Sequence, residues 1–227
     1  MIFHALVFQE SGLSSDCKKI GFIFESVEKG TIDKKLASKE LDSLFSLIPI
    51  GEMKITDTSW VFPLRNYSFK AVGGKNGNGY ITTGYHFLDG NKHLAHPADD
   101  IFILDKDQDG LDDRNKKPVD VLAVMQGIVV SEQNEWDSKS PLRGGKYLWI
   151  YHPQFQSLTY YAHNQKLFVQ IGDRVKKGQK IAEVGRTGFN AYKSRSTTHL
   201  HFSLFKLHLG IPVPINPYTY LKRADFK

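Results

Sequence analysis

The sequence predicts a mainly β protein whose strands form antiparallel sheets. Short runs rich in Val, Ile, Tyr and Phe recur from Trp60 onward and are separated by turn residues. Glycines recur at the spacing of tight hairpins, at positions 172, 178, 185 and 188. We therefore expect residues 59–227 to form one domain of folded, barrel-sandwich-like sheets.

Residues 1–58 are expected to form a small N-terminal α/β extension. The segment GFIFESVEKG, residues 21–30, favours a strand and a turn. After it, Thr31 is predicted to cap one amphipathic helix, and Pro49 with Gly51 to end it. The helix presents one apolar face, made by Leu41, Leu44, Phe45 and Ile48. We expect this face to pack against the larger domain.

Composition narrows the class of protein. The chain has 227 residues and a formal net charge of +6, with a sequence pI of about 9.2. A basic surface favours anionic partners, but no motif typical of nucleic-acid binding is found, so nucleic acid is not expected as a partner. One cysteine, Cys17, excludes an internal disulfide. The first residues, MIFHALVFQESG, match neither a signal peptide nor a membrane span.

The strongest chemical signal is the segment STTHLHFSLF, residues 196–205. Because side chains alternate along a strand, His199 and His201 share one face, about 7 Å apart at a rise of about 3.3 Å per residue. Leu200 and Phe202 would face the core. Two polar residues on a solvated strand face would give the same pattern, so the motif needs further ligands.

Further ligands are available in the segment HPADD. His96 and Asp100 lie four residues apart, and Pro97 favours a bend rather than a helix between them. Together with His201 they offer nitrogen and oxygen donors for an open zinc site, in which a fourth position is left for water. Asp99 could compete with Asp100 as the ligand, although the spacing favours Asp100.

These motifs, together with YYAHN and GDRVKKGQKIAEVGRTG, resemble the lysostaphin-like (LytM-type) zinc metallopeptidases in their order along the chain. The resemblance runs from about Gly84 to Pro217. It implies a lysostaphin-type fold and hydrolysis of peptide bonds in bacterial peptidoglycan. It assigns His96, Asp100 and His201 as zinc ligands.

The same resemblance assigns His163 and His199 as the two histidines that assist the chemistry. Zinc lowers the pKa of a bound water and polarises the scissile carbonyl. We expect His199 to help activate the water and His163 to donate a hydrogen bond to the developing oxyanion, although the residues alone leave this assignment open. Two features depart from the family pattern: HPADD lacks the usual glycine, and an acidic insertion occupies residues 104–117.

The acidic insertion contains DKDQDGLDD, residues 105–113. Carboxylates at alternate positions followed by a glycine resemble the first half of a calcium loop, but Lys116 replaces the Glu that closes an EF-hand. We therefore weigh a calcium site against a solvated acidic loop. The candidate calcium ligands are Asp105, Asp107, Asp109 and Asp113.

The predicted function is that of a zinc endopeptidase acting on peptidoglycan stem peptides or cross-links, in the periplasm, in the cell envelope or after secretion. A first alternative is a lysostaphin-like regulator of cell-wall amidases, a class that commonly lacks the zinc ligands. A second is a calcium-braced wall-binding module, and a third is a swinging-arm carrier domain that shares the GDRVKKGQKIAEVG hairpin. The oligomeric state is not predictable from the sequence.

Overall fold

A computed structural model describes residues 2–49, 58–90 and 94–227, with side chains described from residue 12 onward. Three α-helices are present in these ranges: α1 Ile2–Lys29, α2 Lys34–Leu47 and α3 Tyr218–Arg223. The strands are β1 Asp99–Phe102, β2 Asp120–Leu122, β3 Gly127–Gln133, β4 Lys146–His152, β5 Ser157–Leu167, β6 Arg174–Val175, β7 Lys180–Val184, β8 His199–His208 and β9 Ile211–Ile215. Short 3₁₀ turns lie at Phe69–Ala71, Phe87–Asp89 and Pro153–Phe155.

The strands form one folded antiparallel sheet that does not close. Its main path runs β1-β8-β5-β4-β3-β6. Strand β9 pairs with β8, and β7 bridges β5 to β2. This architecture confirms the prediction of a mainly β, lysostaphin-like fold. Among the short runs that predict strands, KYLWIYH (residues 146–152) coincides with β4, whereas VDVLAVMQGIVV (residues 119–130) divides into β2 and β3.

The N-terminal extension is helical where it is described, so the prediction of a strand there is wrong. Residues 21–30 lie mostly inside α1, a helix of 28 residues. Its buried side chains follow helical spacing, and the tertiary contact of that face with the sheet outweighs the β propensity of the local Phe-Ile-Phe run. These buried residues are Leu13, Cys17, Ile20, Ile23, Phe24 and Val27.

The second helix is the predicted amphipathic one, but it begins later than expected. Asp33, not Thr31, is its N-cap, and its carboxylate accepts a hydrogen bond of 2.9 Å from the backbone N–H of Leu36. Thr31 instead donates to the carbonyl of Ser26 at the end of α1. The helix ends at Leu47, just before the predicted stop at Pro49. Gly51 lies outside the described residues, as do the other positions of 50–57 next to the predicted domain boundary at residue 58.

Two hydrophobic clusters cover the two faces of the sheet, because residues alternate between them along each strand. On β4, Leu148 and Ile150 join the cluster that contains Trp60, Phe62 and Phe202. On the same strand, alternate residues join the cluster that the helices cover, namely Tyr147, Trp149 and Tyr151. Helix α1 is therefore an integral layer of the fold. Within the described residues, no helix is long and apolar enough to cross a membrane.

His152, at the end of β4, is fully buried and neutral. One ring nitrogen lies 2.8 Å from the Gln126 carbonyl and the other 2.8 Å from the Thr159 hydroxyl. Burial lowers its pKa from 6.5 to about 4. The unfolded chain therefore binds one more proton than the folded chain between about pH 4 and 6.5.

We predict that this difference destabilises the fold as the pH falls. The contribution of His152 is complete above pH 6.5 and is lost toward pH 4, at up to about 1.4 kcal/mol per pH unit. NMR titration of the His152 ring in the folded protein measures the cause directly, and urea unfolding at pH 7 and pH 5 measures the effect. A ring that titrates near pH 6.5 would contradict this account.

Candidate metal centre and active-site cavity

The predicted ligands meet because β1 and β5 flank β8 in the sheet. In the antiparallel register, Asp100 on β1 lies opposite His201 on β8. On the other side of β8, Ala162 on β5 lies opposite the same histidine. His96 precedes β1 and is held by a bridge to Ile81. The sheet thus brings three sequence-distant segments to one point.

His96, Asp100 and His201 form one group of potential metal ligands. Each offers a donor atom, and these atoms all lie within 4.8 Å of one another. One carboxylate oxygen of Asp100, Oδ1, lies 3.2 Å from His96 Nε2 and 3.0 Å from His201 Nδ1. Two imidazoles and one carboxylate are the donor set of a catalytic zinc site with an open position, so these residues fit zinc.

His163 and His199 lie beside this group. The His199 Nε2 is 3.6 Å from Asp100 Oδ1. The ring of His163 lies 4.9 Å from that of His199 and 5.4 Å from that of His201, between centroids. The five residues assigned from the sequence therefore occupy one site.

Backbone carbonyls orient three of the histidines. His96 Nδ1 lies 2.9 Å from the Gly79 carbonyl, His163 Nδ1 2.8 Å from that of Thr187, and His199 Nδ1 2.7 Å from that of Thr197. A carbonyl only accepts hydrogen bonds, so each Nδ1 carries the hydrogen and each neutral ring keeps its lone pair on Nε2. The sequence did not identify these acceptors, since a backbone carbonyl leaves no mark on residue type.

His163 reaches the site through an irregular backbone. Regular alternation would direct it to the same face as Tyr161, which is buried in the cluster with Phe202. Instead His163 has a φ of +67°, and the pairing of β5 with β4 and β7 shifts register around it. The irregularity turns the imidazole to the opposite face, where His199 and His201 lie.

Asp99 and Asp100 are adjacent in sequence, but their pKa values are shifted in opposite directions. Burial alone would raise the pKa of Asp100, but hydrogen bonds from His201 and His96 hold it well below its usual range. Asp99 points to the other face and is almost fully buried, and neither of its oxygens has a hydrogen-bond partner. Burial and the charge of Asp100 raise its pKa to about 6. Asp100, not Asp99, therefore belongs to the ligand group.

The histidine rings stay neutral where they are most enclosed. Burial and the neighbouring His199 and His201 lower the pKa of His163 well below its usual range. His96 behaves in the opposite way: burial lowers its pKa, but the hydrogen bond and the charge of Asp100, together with the Gly79 carbonyl and the charge of Asp99, raise it above its usual value. In the resting site, His163 is thus a neutral ring with an acceptor nitrogen.

The five residues open into a cavity of about 370 Å³. Its floor is aromatic: the Tyr160 ring lies 6.0 Å from His201, and Trp149 lies 4.5 Å from Tyr160, between centroids. Phe24 of α1 packs edge-on to Trp149 at 5.1 Å. A row of rings therefore leads from the metal ligands to the N-terminal helix.

Helix α1 supplies a wall of this cavity, which the sequence analysis missed. Phe24, Val27 and Glu28 all line it, and the Tyr147 hydroxyl donates to Glu28 across 3.2 Å. The helical spacing of Leu13, Cys17, Ile20 and Phe24 was the available signal for the helix. Nothing in the spacing, however, indicates which strand the helix covers.

The predicted calcium ligands lie apart from the zinc ligands. Donor atoms of Asp105, Asp107 and Asp109 lie within 4.8 Å of one another. The Lys116 ammonium lies 2.8 Å from Asp113, 3.1 Å from Asp107 and 3.9 Å from Asp109. Its hydrogen bonds lower the pKa of Asp107 and of Asp113. The loop therefore contains its own cation.

The sequence of this region matches a known protein family. Residues 106–217 match the model described as peptidase family M23. The chain carries a peptidase M23 domain. The matched part includes His163, His199 and His201, and it begins after His96 and Asp100, whose place in the site rests on the strand register.

Two curated relatives are similar to part of this chain. The murein hydrolase activator NlpD of Escherichia coli is 36% identical over 112 residues, which are 49% of this chain and 25% of that protein. An uncharacterized metalloprotease of Buchnera aphidicola is 30% identical over 96 residues, which are 42% of this chain and 22% of that protein. The chain spans about a quarter of the length of these relatives.

A solved structure supports the fold. A protein of Ruminococcus gnavus, described as a candidate glycyl-glycine endopeptidase lytM, aligns with a TM-score of 0.51 at 17% sequence identity. The alignment covers 96% of this chain and 86% of that one. At this identity the likeness concerns the fold alone.

The ligand assignment predicts how single substitutions change zinc binding. His201→Ala removes a donor and should weaken zinc binding by more than about 100-fold, because the loss of even an outer-shell partner costs 10–100-fold. His163→Ala should bind one zinc per chain, as the wild type should. Equilibrium dialysis followed by metal analysis measures both.

His208→Ala is the matched control for these variants. This histidine lies at the far end of the same strand and is exposed. Zinc retained by His201→Ala, or lost from His163→Ala, would overturn the ligand set.

Proposed function

We propose that this protein is a zinc-dependent endopeptidase that hydrolyses peptide bonds in bacterial peptidoglycan, in a stem peptide or a cross-link. One observation carries the proposal: three metal donors and two further histidines converge in a single cavity of an M23 domain. A non-catalytic domain has no need for that complete set. The net charge of +6 is suited to an anionic wall polymer.

Two histidines and one carboxylate would hold the metal. His96 would bind the metal through Nε2, because its Nδ1 hydrogen is directed to the Gly79 carbonyl. His201 would bind through Nδ1, the nitrogen that faces Asp100. Asp100 is ionised over the working pH range, since its pKa is held low by its two histidine partners. A zinc ion bound there would activate a water molecule and polarise the scissile carbonyl.

The two remaining histidines would move the proton. We assign His199 to accept the proton of the attacking water, because its Nε2 lies 3.6 Å from Asp100 Oδ1 in the ligand group. We assign His163 to donate to the oxyanion through Nε2. Its Nδ1 hydrogen is held by Thr187, so His163 must first take up a proton to act as that donor. A proton passed between the two rings would meet this need.

A second candidate function is activation of another cell-wall hydrolase without catalysis. It is favoured by four relatives named as murein hydrolase activators, each 36% identical to this chain. The complete donor set favours the enzyme. A calcium-braced wall-binding module would also use the acidic loop, but it gives no role to His163 or His199. In each case we propose that the protein acts in the periplasm, in the cell envelope or after secretion.

A digestion experiment tests the enzyme. Zinc-loaded wild type should release defined peptide fragments and new free amines from purified peptidoglycan of at least one chemotype. His163→Ala should bind zinc and cleave about 10²–10⁴ times more slowly, the usual contribution of a general acid or base. Mass spectrometry of the fragments identifies the bond.

The same experiment separates the alternatives. If zinc-loaded wild type cleaves none of the chemotypes, but its addition accelerates a purified amidase on the same substrate, the activator function is correct and the enzyme is not. Cleavage by His163→Ala at the wild-type rate would leave the proposed role of His163 without support.

Calcium binding by Asp105, Asp107, Asp109 and Asp113 is a separate proposal. Calcium must displace the Lys116 ammonium from its carboxylates, so we expect weak binding that tightens at least about 10-fold in Lys116→Met. Calorimetric titration of calcium into zinc-loaded protein measures this change, with Lys106→Met as the control. The absence of calcium binding in both the wild type and Lys116→Met would exclude the site.

A further inference from the structure

Thr198, the residue before His199, is held by two side chains of opposite charge. Its hydroxyl donates to Asp105 Oδ2 over 2.6 Å and accepts from Arg186 Nη1 over 2.8 Å. Thr198 and Asp105 are both buried. Because a hydroxyl has one hydrogen to donate, these two contacts fix its rotation as well as its position.

Asp105 is itself fixed by the backbone of the acidic insertion. Its Oδ1 accepts from the N–H of Asp109 and its Oδ2 from the N–H of Gly110, each over 3.0 Å. The carboxylate therefore connects the turn of the insertion to the start of β8. Hydrogen bonds to an ionised acceptor are about twice as strong as neutral ones, so this connection is firm.

A second set of contacts joins the insertion to the loop before β8. Arg186 Nη2 donates to Gln108 Oε1 over 2.9 Å and to the Lys193 carbonyl over 3.0 Å. Gln108 in turn donates to the Ser194 carbonyl over 2.8 Å. The insertion thus holds the loop between Arg186 and Thr198 from two sides. Ser196, within that loop, lines the active-site cavity.

The loop held in this way ends at the carbonyl that orients His199. The Thr197 carbonyl lies 2.7 Å from His199 Nδ1, so its position decides which ring nitrogen carries the hydrogen. The peptide unit between Thr197 and Thr198 contains that carbonyl. The contacts of the Thr198 side chain restrain the Thr198 Cα, and through it this peptide unit and the support of His199.

We propose that Asp105 and Thr198 are positioning residues for His199, and that the acidic insertion braces the start of β8. Asp105 acts on the Thr198 hydroxyl, Thr198 fixes the preceding peptide unit, and that carbonyl holds the Nδ1–H tautomer of His199. The zinc ligands do not depend on this chain of contacts. The consequence for catalysis rests on the proposed function, whereas the consequence for the His199 ring does not.

Thr198→Val tests the proposal, because it keeps the shape of the side chain and removes the hydroxyl. In zinc-loaded wild type, the ¹⁵N shifts of the His199 ring should indicate the Nδ1–H tautomer alone. In zinc-loaded Thr198→Val they should indicate a mixture of the two tautomers. With a soluble peptide that contains the bond identified by the digestion as substrate, kcat should fall about 10–100-fold, as for other outer-shell partners, while KM stays within about twofold. Bound zinc should stay at one per chain.

Three further variants keep the result interpretable. Thr198→Ser restores the hydroxyl and should recover both the tautomer and most of kcat. Asp105→Asn retains the shape but removes the charge and replaces one acceptor oxygen with an NH₂ group, so it should give an intermediate loss if Thr198→Val does not fold. Asp173→Asn is the matched control, since Asp173 also accepts a turn N–H, that of Gln170, but touches no part of the site.

The outcomes distinguish this proposal from the proposed function. An unchanged His199 tautomer in Thr198→Val and in Asp105→Asn overturns the positioning role, whatever the activity. Loss of zinc from these variants also overturns it, because the contacts would then support the ligands. If the tautomer changes in the variants but the zinc-loaded wild type cleaves no peptidoglycan chemotype, the positioning role is supported and the endopeptidase is refuted.

Discussion

The antiparallel pairing of β1 with β8 is the constraint on which the site depends. It places Asp100 opposite His201, although the two residues are separated by about a hundred positions in the chain. A slip of one residue would bring Asp99 opposite His201 and direct the side chain of Asp100 away from the histidines. The buried Ile101 and Leu200, which face each other in the same register, oppose that slip because it would expose them.

This pairing also sets the charges of the site. Asp100 faces histidine rings and is stabilised as a carboxylate, whereas Asp99 faces the hydrophobic side and has a raised pKa. Backbone carbonyls of Gly79, Thr187 and Thr197 then fix the rings around Asp100. Rigid outer contacts of this kind hold donor atoms close together at the cost of desolvating them, which is a typical property of functional sites.

The second face of the sheet shows how the extension becomes part of the site. Helix α1 covers β3 and β4 with apolar residues and contributes Phe24, Val27 and Glu28 to the cavity. The acidic insertion contacts the loop before β8 and the start of that strand, through Gln108 and Asp105 respectively. The N-terminal extension and the acidic insertion therefore both reach the region of His199 and His201.

The sequence by itself determined the mainly β class, the strands of the core and the five candidate site residues. Strand alternation, a local property, predicted the strands and put His199 and His201 on one face. The role of His163, by contrast, came from the resemblance to lysostaphin-like peptidases. The tertiary structure decided the rest. The direction of His163 depends on a left-handed backbone and a register shift, which alternation cannot predict. The helical state of residues 21–30 depends on burial against the sheet, since the local composition favours a strand. Lys116 lies among the carboxylates only because the insertion folds back on itself, and contacts between distant residues are not encoded in local spacing.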